Sequence, residues 1–397
     1  MKLSSKIEKC SLSPIQKFDG CAAAAEARGM KIYHFNIGQP DIITPPVYFD
    51  VLKNYSAPIL TYAPSEGIPE LISAMQGYYR RIGVSLEKEN ILISSGGSEA
   101  FMMAFASILD DGDEILIPEP YYTNYATSII LTGASIRAIP TSPEEGYRYA
   151  DREKIEPLIN SHTRAIVITN PGNPTGVVLK PEELKLLLDI AKEHDLYIIC
   201  DEVYREFVYT DAPLVSALQY PGYEQNIVLV DSVSKRFSAC GARVGALISK
   251  NRELMTAAMK WIHCRLAVAS ADQLASAALY HLPENYFDDV RTEYHARRDT
   301  MVRKLSEIPG ISFTEPDGAF YIMASLPVDD AEKFQMWLLN EFNDNGDTLM
   351  FSPAEPFYAT PDKGRNEVRL AYVIKREDLE RGLDVLAAAL KVYNQQK

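Results

Sequence analysis

A chain of 397 residues with 47% hydrophobic and 24% charged residues has the makeup of an ordinary globular protein, and it has room for two domains. Its formal net charge of −14 argues against a nucleic-acid partner, since phosphate backbones require clustered Lys and Arg. Five cysteines without a CxxC pair argue against a disulfide framework or a zinc site and for a reducing, cytoplasmic setting.

Taken in chain order, residues 1–46 read as an N-terminal arm that joins a smaller domain. The opening segment lacks the apolar stretch of a secretion signal, and no run of about 18 apolar residues is present to span a membrane. Residues 47–295 read as a large domain in which short β-branched runs alternate with helical segments. The runs are Ile91–Ser94, Glu114–Pro118, Ser135–Ile139, Ala165–Thr169, Leu196–Cys200, Ile227–Asp231 and Val244–Ser249. Between them, Ser98–Leu109 is apolar nearly all round, as a buried helix is, and Pro181–His194 opens with Pro in its first turn. Tyr78, Tyr79, Arg80 and Arg81 read as the surface of an amphipathic helix. Alternation of this kind predicts an α/β fold on a mostly parallel, seven-stranded sheet. Residues 296–397 read as a small α+β domain, entered through a long, charged, exposed helix over Glu284–Ser306 that carries Arg297, Arg298 and Arg303 on its charged face. Strands at Gly318–Ala324 and Glu367–Val373 and helices at Ala331–Phe342 and Glu377–Val392 complete it.

In an open α/β sheet, ligands bind beyond the carboxyl ends of the strands, so the polar residues that follow each run carry the interest. They are Ser95-Gly96-Gly97-Ser98-Glu99-Ala100, then Asn170-Pro171-Gly172-Asn173-Pro174-Thr175-Gly176, then Asp201-Glu202-Val203-Tyr204, then Asp231-Ser232-Val233-Ser234-Lys235, with Arg243 eight positions later. A glycine-rich turn opening a helix offers N–H groups and a favourable dipole to a phosphate. Ser232 and Arg243 add a hydroxyl and a forked cation. An aspartate at a strand end suits a protonated pyridine nitrogen. Tyr204 and Asn173 suit a phenolic oxygen, and Tyr121 or Tyr122 offers an aromatic face. A lysine bonds covalently to a carbonyl and then moves protons.

The segments NPGNPTG, CDEVY, SVSKRFSACGARVG and VRLAY, in this order, resemble those of the class I/II aminotransferases, the pyridoxal phosphate (PLP) enzymes of the aspartate aminotransferase superfamily. The resemblance runs from Asn36-Ile37-Gly38-Gln39-Pro40 through Arg369. It implies the type I fold of PLP-dependent transferases, and PLP held by Lys235, with Asp201 on the pyridine nitrogen and Tyr204 and Asn173 on the ring oxygen. Gly97, Ser98, Glu99, Ser232 and Arg243 would hold the phosphate, and Tyr122 would stack on the ring. Arg369 would grip the substrate α-carboxylate, with Asn173 and Gly38 assisting. Tyr62 matches a tyrosine that reaches the phosphate of a neighbouring subunit, which implies a homodimer with shared sites. The implied reaction moves an amino group from an L-amino acid to a 2-oxo acid, with aspartate and 2-oxoglutarate the leading pair and aromatic or alanine donors the alternative. Gly241-Ala242-Arg243 departs from relatives that carry Trp between the Gly and Arg, and Tyr122 stands where many aspartate-specific relatives have Trp.

Arg265 reads as an ion-pair partner, with a role toward a substrate side-chain carboxylate the alternative. The six histidines share no ligand spacing. A PLP lyase would share every cofactor residue, whereas a nicotinamide dehydrogenase lacks its GxGxxG here. A non-enzymatic regulator on the same fold lacks a basic DNA-binding segment.

Overall fold

The computed structural model describes residues 1–11, 13, 16–210, 214–283 and 285–396. Strand β1 (Lys31–His34) lies apart from the main sheet. The seven runs read from the sequence form β2 (Ile91–Ser94), β3 (Glu114–Pro118), β4 (Ser135–Ile139), β5 (Thr163–Thr169), β6 (Tyr197–Asp201), β7 (Ile227–Ser232) and β8 (Gly245–Ile248). They assemble into one sheet in the order β2-β8-β7-β6-β5-β3-β4. Only β8 is antiparallel to its neighbours, β2 and β7, so the fold is the mostly parallel α/β sheet that the alternation predicts.

Successive side chains of a strand leave opposite faces, and these strands are apolar on both. Ile198 and Cys200 of β6 pack on one side with Leu184, Leu187 and Leu188 of the helix Pro181–Glu193. Ile199, between them, packs on the other side with Ala104 and Phe105 of the helix Gly97–Ile108. Each fully buried side chain of this size contributes about 1.5–3 kcal/mol. Burial on both faces is the reason these strands read as continuous apolar runs rather than alternating ones. The helix Pro181–Glu193 starts where Pro181 occupies its first turn and Glu183 accepts from the Lys180 N–H at 2.7 Å.

A second apolar core lies around a four-stranded antiparallel sheet, ordered β12-β13-β10-β9, with β9 (Ser312–Phe313), β10 (Tyr321–Ser325), β12 (Ser352–Pro353) and β13 (Glu367–Ala371). β1 pairs in parallel with β11 (Asp347–Met350), which ties the N-terminal segment to the C-terminal region.

Two sequence expectations are corrected here. The long helix Asn285–Ser306 is not exposed along its length, because Phe287, Val290, Tyr294, Arg297, Met301 and Leu305 form a buried stripe at helical spacing. Arg297 is part of that stripe, 4% exposed, and pairs with Asp41 at 2.6 Å and with Glu293 at 2.8 Å. The heavy charge of this helix obscures its apolar face in the sequence. Glu284, read as its first residue, lies outside the described residues. Tyr78 and Tyr79 are likewise core residues rather than surface ones, 3% and 0% exposed. Among the described residues, no helix is long and apolar enough to cross a membrane.

Candidate active site

The carboxyl ends of β2, β5, β6 and β7, and the amino end of antiparallel β8, lie along one edge of the sheet, and a cleft of about 330 Å³ opens there. Lys235, Asp201, Tyr204, Asn173, Arg243 and Arg369 all line it. Gly97, Ser98, Tyr122, Ser232 and Gly38 line it too. The fold therefore brings together residues that span Gly38 to Arg369 in the sequence.

Lys235 sits in the one-turn helix Val233–Arg236 that follows β7. Its Nζ donates to the Gly38 carbonyl at 2.7 Å and lies 3.9 Å from the Cys240 sulfur. Burial lowers its pKa, because the uncharged amine tolerates an apolar surrounding better than the ammonium. A lysine shifted this way is a better nucleophile and base at neutral pH. Asp201 closes β6 and is 5% exposed. Tyr125 O–H donates to its Oδ2 at 2.6 Å and Val203 N–H to its Oδ1 at 3.2 Å. Burial nevertheless pushes its pKa up to about 6, so this carboxyl is placed where a cationic partner would relieve it.

Fit to a phosphate-bearing group rests on the turn at Gly96. The helix Gly97–Ile108 begins there, and the N–H groups of Gly97, Ser98 and Glu99 have no intrahelical acceptors. Gly96 has φ +79°, and a Cβ on it would lie 2.4 Å from Arg243 Nη2. Only glycine lets the guanidinium close over this turn. Arg243 donates to the carbonyls of Ser95 and Cys240, which aims it across the helix start. The Ser232 hydroxyl is turned onto the Val244 carbonyl at 3.1 Å and the Ser234 hydroxyl at 2.8 Å.

A second arginine lines the same cleft. Arg369, on β13 and 1% exposed, donates to Asn173 Oδ1 at 3.1 Å and to the Asn36 carbonyl at 2.6 Å. Its Nε is buried without a hydrogen-bond partner. Such an orphaned donor costs about 1–3 kcal/mol, and a carboxylate would supply the missing acceptor. Asn173 also donates to the Tyr204 hydroxyl at 3.4 Å, so one side chain touches both the tyrosine and the arginine. Tyr122 lies edge-on to Tyr125, with ring centroids 5.4 Å apart.

Two site residues read from the sequence stand elsewhere. The Glu99 side chain does not line the cleft. It accepts from the Ser95 N–H at 2.6 Å and lies 3.3 Å from Arg265 Nε. Tyr62 is 83% exposed and outside the cleft. Arg265 is a partner of Glu99, and it also donates to the Ile93 carbonyl at 2.9 Å.

Sequence reasoning missed Tyr125, Tyr321 and Arg236. Tyr125 is the donor to Asp201, and only its nearness to Tyr122 in the chain hinted at a role. Tyr321 lines the cleft from β10, with its hydroxyl 3.0 Å from that of Tyr204. Asp231 and Arg236, both fully buried, form a two-point pair at 2.9 Å that brackets the Lys235 turn. Tyr79 O–H donates to the same Asp231 carboxylate at 2.9 Å.

A cleft that holds a lysine, two arginines and a buried acid suits a reaction on a carboxylate-bearing amine or carbonyl compound. Residues 31–386 match the sequence pattern of the family aminotransferase class I and II. The chain is 32% identical over 368 residues to the aspartate aminotransferase of Pyrococcus horikoshii, covering 91% of each chain. It is 30% identical to aromatic-amino-acid aminotransferase 2 of Thermococcus litoralis, covering 98% of this chain and 99% of that one. The solved alanine aminotransferase of Pyrococcus furiosus superposes with a TM-score of 0.89 at 27% identity, covering 98% of this chain and all of that one. The chain belongs to the class I and II aminotransferase family and is an aminotransferase. Enzymes of this family depend on PLP and act on amino acids and oxo acids.

Proposed function

We propose that this chain is a PLP-dependent aminotransferase that moves an amino group between an L-amino acid and a 2-oxo acid, with Lys235 as its central residue. The reading is carried by one observation: Lys235, Asp201, the Gly96–Arg243 turn and Arg369 converge on a single cleft. PLP, when bound, supplies an aldehyde carbon for the amino group and a pyridine ring that draws electron density from the substrate Cα.

The chain's residues supply the rest. Lys235 would hold the cofactor at its aldehyde, and its amine, once freed, would be the group that moves the proton of the substrate Cα. Its lowered pKa supports that use. Asp201 keeps the pyridine nitrogen protonated. Tyr204 and Asn173 hydrogen-bond the ring oxygen, and Tyr122 covers one ring face. The backbone of Gly97, Ser98 and Glu99, with Ser232 and Arg243, holds the phosphate. Arg369 grips the α-carboxylate in a two-point fork, assisted by Asn173 and Gly38. Tyr62 reaches the phosphate of a second subunit in a homodimer, a role supported by its exposure beside exposed Ile59 and Leu60. Five unpaired cysteines support a cytoplasmic location.

Aspartate with 2-oxoglutarate is the first pair to test, since the relative in P. horikoshii is an aspartate aminotransferase. Aromatic and alanine donors come second, supported by the other two relatives and by the engagement of Arg265 with Glu99. The test is the absorption spectrum of the PLP-loaded protein titrated with single amino acids in the absence of acceptor. A full conversion of the cofactor to its amino form, with one oxo acid released per site, is expected, and the donors rank by rate. Borohydride reduction before titration, followed by mass spectrometry, should place the cofactor mass on Lys235. Cofactor mass on another lysine, or an active Lys235→Ala variant, would falsify the assignment.

A further inference from the structure

Tyr321 is absorbed by none of the roles above, yet it touches three parts of the site. Its ring lies 4.5 Å from the guanidinium carbon of Arg369. Its hydroxyl is 3.0 Å from the Tyr204 hydroxyl, and the two rings meet edge-on at 5.6 Å. Against Gly38 the approach is so close that a Cβ there would lie 1.7 Å from the Tyr321 oxygen. Tyr321 is 2% exposed, and β10 pairs with β13 in a register that sets Tyr321 opposite Ala371, two residues from Arg369. Phe357 adds a second ring 5.2 Å from the same guanidinium.

A guanidinium presents a carboxylate with two parallel N–H groups only while its plane is held. Asn173, the Asn36 carbonyl and, at 3.5 Å, the Ser352 hydroxyl engage two of its nitrogens, but hydrogen bonds along the rim oppose rotation out of the plane only weakly. A ring over the face opposes it, through contact and through attraction of the cation to the π face. We infer that Tyr321 is a positioning residue for substrate: its ring fixes the plane of Arg369 for the α-carboxylate, and its hydroxyl ties that receptor to Tyr204. The inference rests on the reading of Arg369 as the carboxylate receptor.

The test measures the affinity of PLP-loaded protein for unreactive carboxylates, succinate and 3-phenylpropionate, by calorimetry, together with KM, kcat and the dissociation constant of PLP. Tyr321→Met keeps bulk and apolarity but removes the π face. It should weaken carboxylate binding and raise KM by about 3–30-fold, the range of a desolvated cation–π contact, with kcat and PLP affinity within about threefold of the parent. Tyr321→Phe keeps the ring and should fall between the two. Should Tyr321→Met fail to fold, 3,4,5-trifluorophenylalanine at the same position keeps the shape of Phe while draining the π face, and should bind carboxylate more weakly than Tyr321→Phe. Carboxylate affinity that is unchanged in the variants without a π face, while Arg369→Lys is impaired, overturns the inference. A loss of PLP affinity without a loss of carboxylate affinity overturns it as well, because it marks a role in packing around Tyr204 alone. Normal carboxylate binding in Arg369→Lys refutes the underlying reading and the inference with it.

Discussion

Replacing Asp201 by asparagine should stabilise the cofactor-free protein, and more so as pH rises. Burial raises this carboxyl from its ordinary 3.8 to about 6, even though Tyr125 and Val203 donate to it and pull the other way. Between those two values the folded chain keeps a proton that the unfolded chain has lost. Stability therefore falls as pH rises through this window. At about 1.4 kcal/mol per pH unit, the window of about two units corresponds to about 3 kcal/mol, absent below about pH 4 and in full force above about pH 6. Asparagine keeps a carbonyl for Tyr125 and Val203 and carries no charge. The stability gap between Asp201→Asn and the parent should open from near zero at the acid end to as much as about 3 kcal/mol at pH 8. Urea unfolding of the cofactor-free proteins, followed by circular dichroism at several pH values, reads the gap directly. A gap that stays constant with pH, or that narrows as pH rises, would refute the reasoning. Adding PLP to the parent should shrink the gap, because a pyridinium beside Asp201 favours its charged form.

Two further variants follow from the geometry. Gly96→Ala places a methyl 2.4 Å from Arg243 Nη2 at a φ of +79°. It should weaken PLP binding by about 10- to 100-fold, roughly the loss of 1–3 kcal/mol expected of such strain, as measured by fluorescence titration of the cofactor-free protein. Arg265→Leu removes the ion-pair partner of Glu99, leaves it the Ser95 N–H, and should lower stability by about 1–3 kcal/mol in urea, the cost of a part-buried carboxylate without its counter-charge. The same variant should change the ratio of kcat/KM for aspartate to that for alanine by less than about threefold, well under the 30-fold or more that follows loss of a direct charge contact to a substrate carboxylate. A collapse confined to aspartate would return Arg265 to the substrate pocket.

The main sheet and the edge that carries the site were both legible in the sequence. All seven strand runs lie where the apolar runs put them, within two residues at each end, because a strand buried on both faces must be apolar along its length. The residues after those strands then converge, since parallel connections return each carboxyl end to the same edge. Less was legible wherever charge or aromatic polarity masked burial. Arg297 reads as a surface residue until Asp41, 256 positions away in the chain, is seen beside it. Tyr78 and Tyr79 read as a helix surface until the folded chain sets Tyr79 against Asp231. Glu99 occupies a helix start that suits phosphate binding, yet its side chain turns to Arg265.

The local pattern of residues by itself determined which segments become strands, which turns open helices, and which polar residues gather at the sheet edge. Those properties depend on spacing within a few residues, where periodicity and turn chemistry act. Only the tertiary structure decided which partner each polar group keeps. Tyr321 over Arg369, Tyr125 on Asp201 and the Asp231–Arg236 pair around Lys235 depend on the packing of side chains within the folded core, where desolvation makes each partner matter. No short-range pattern in the chain encodes that packing.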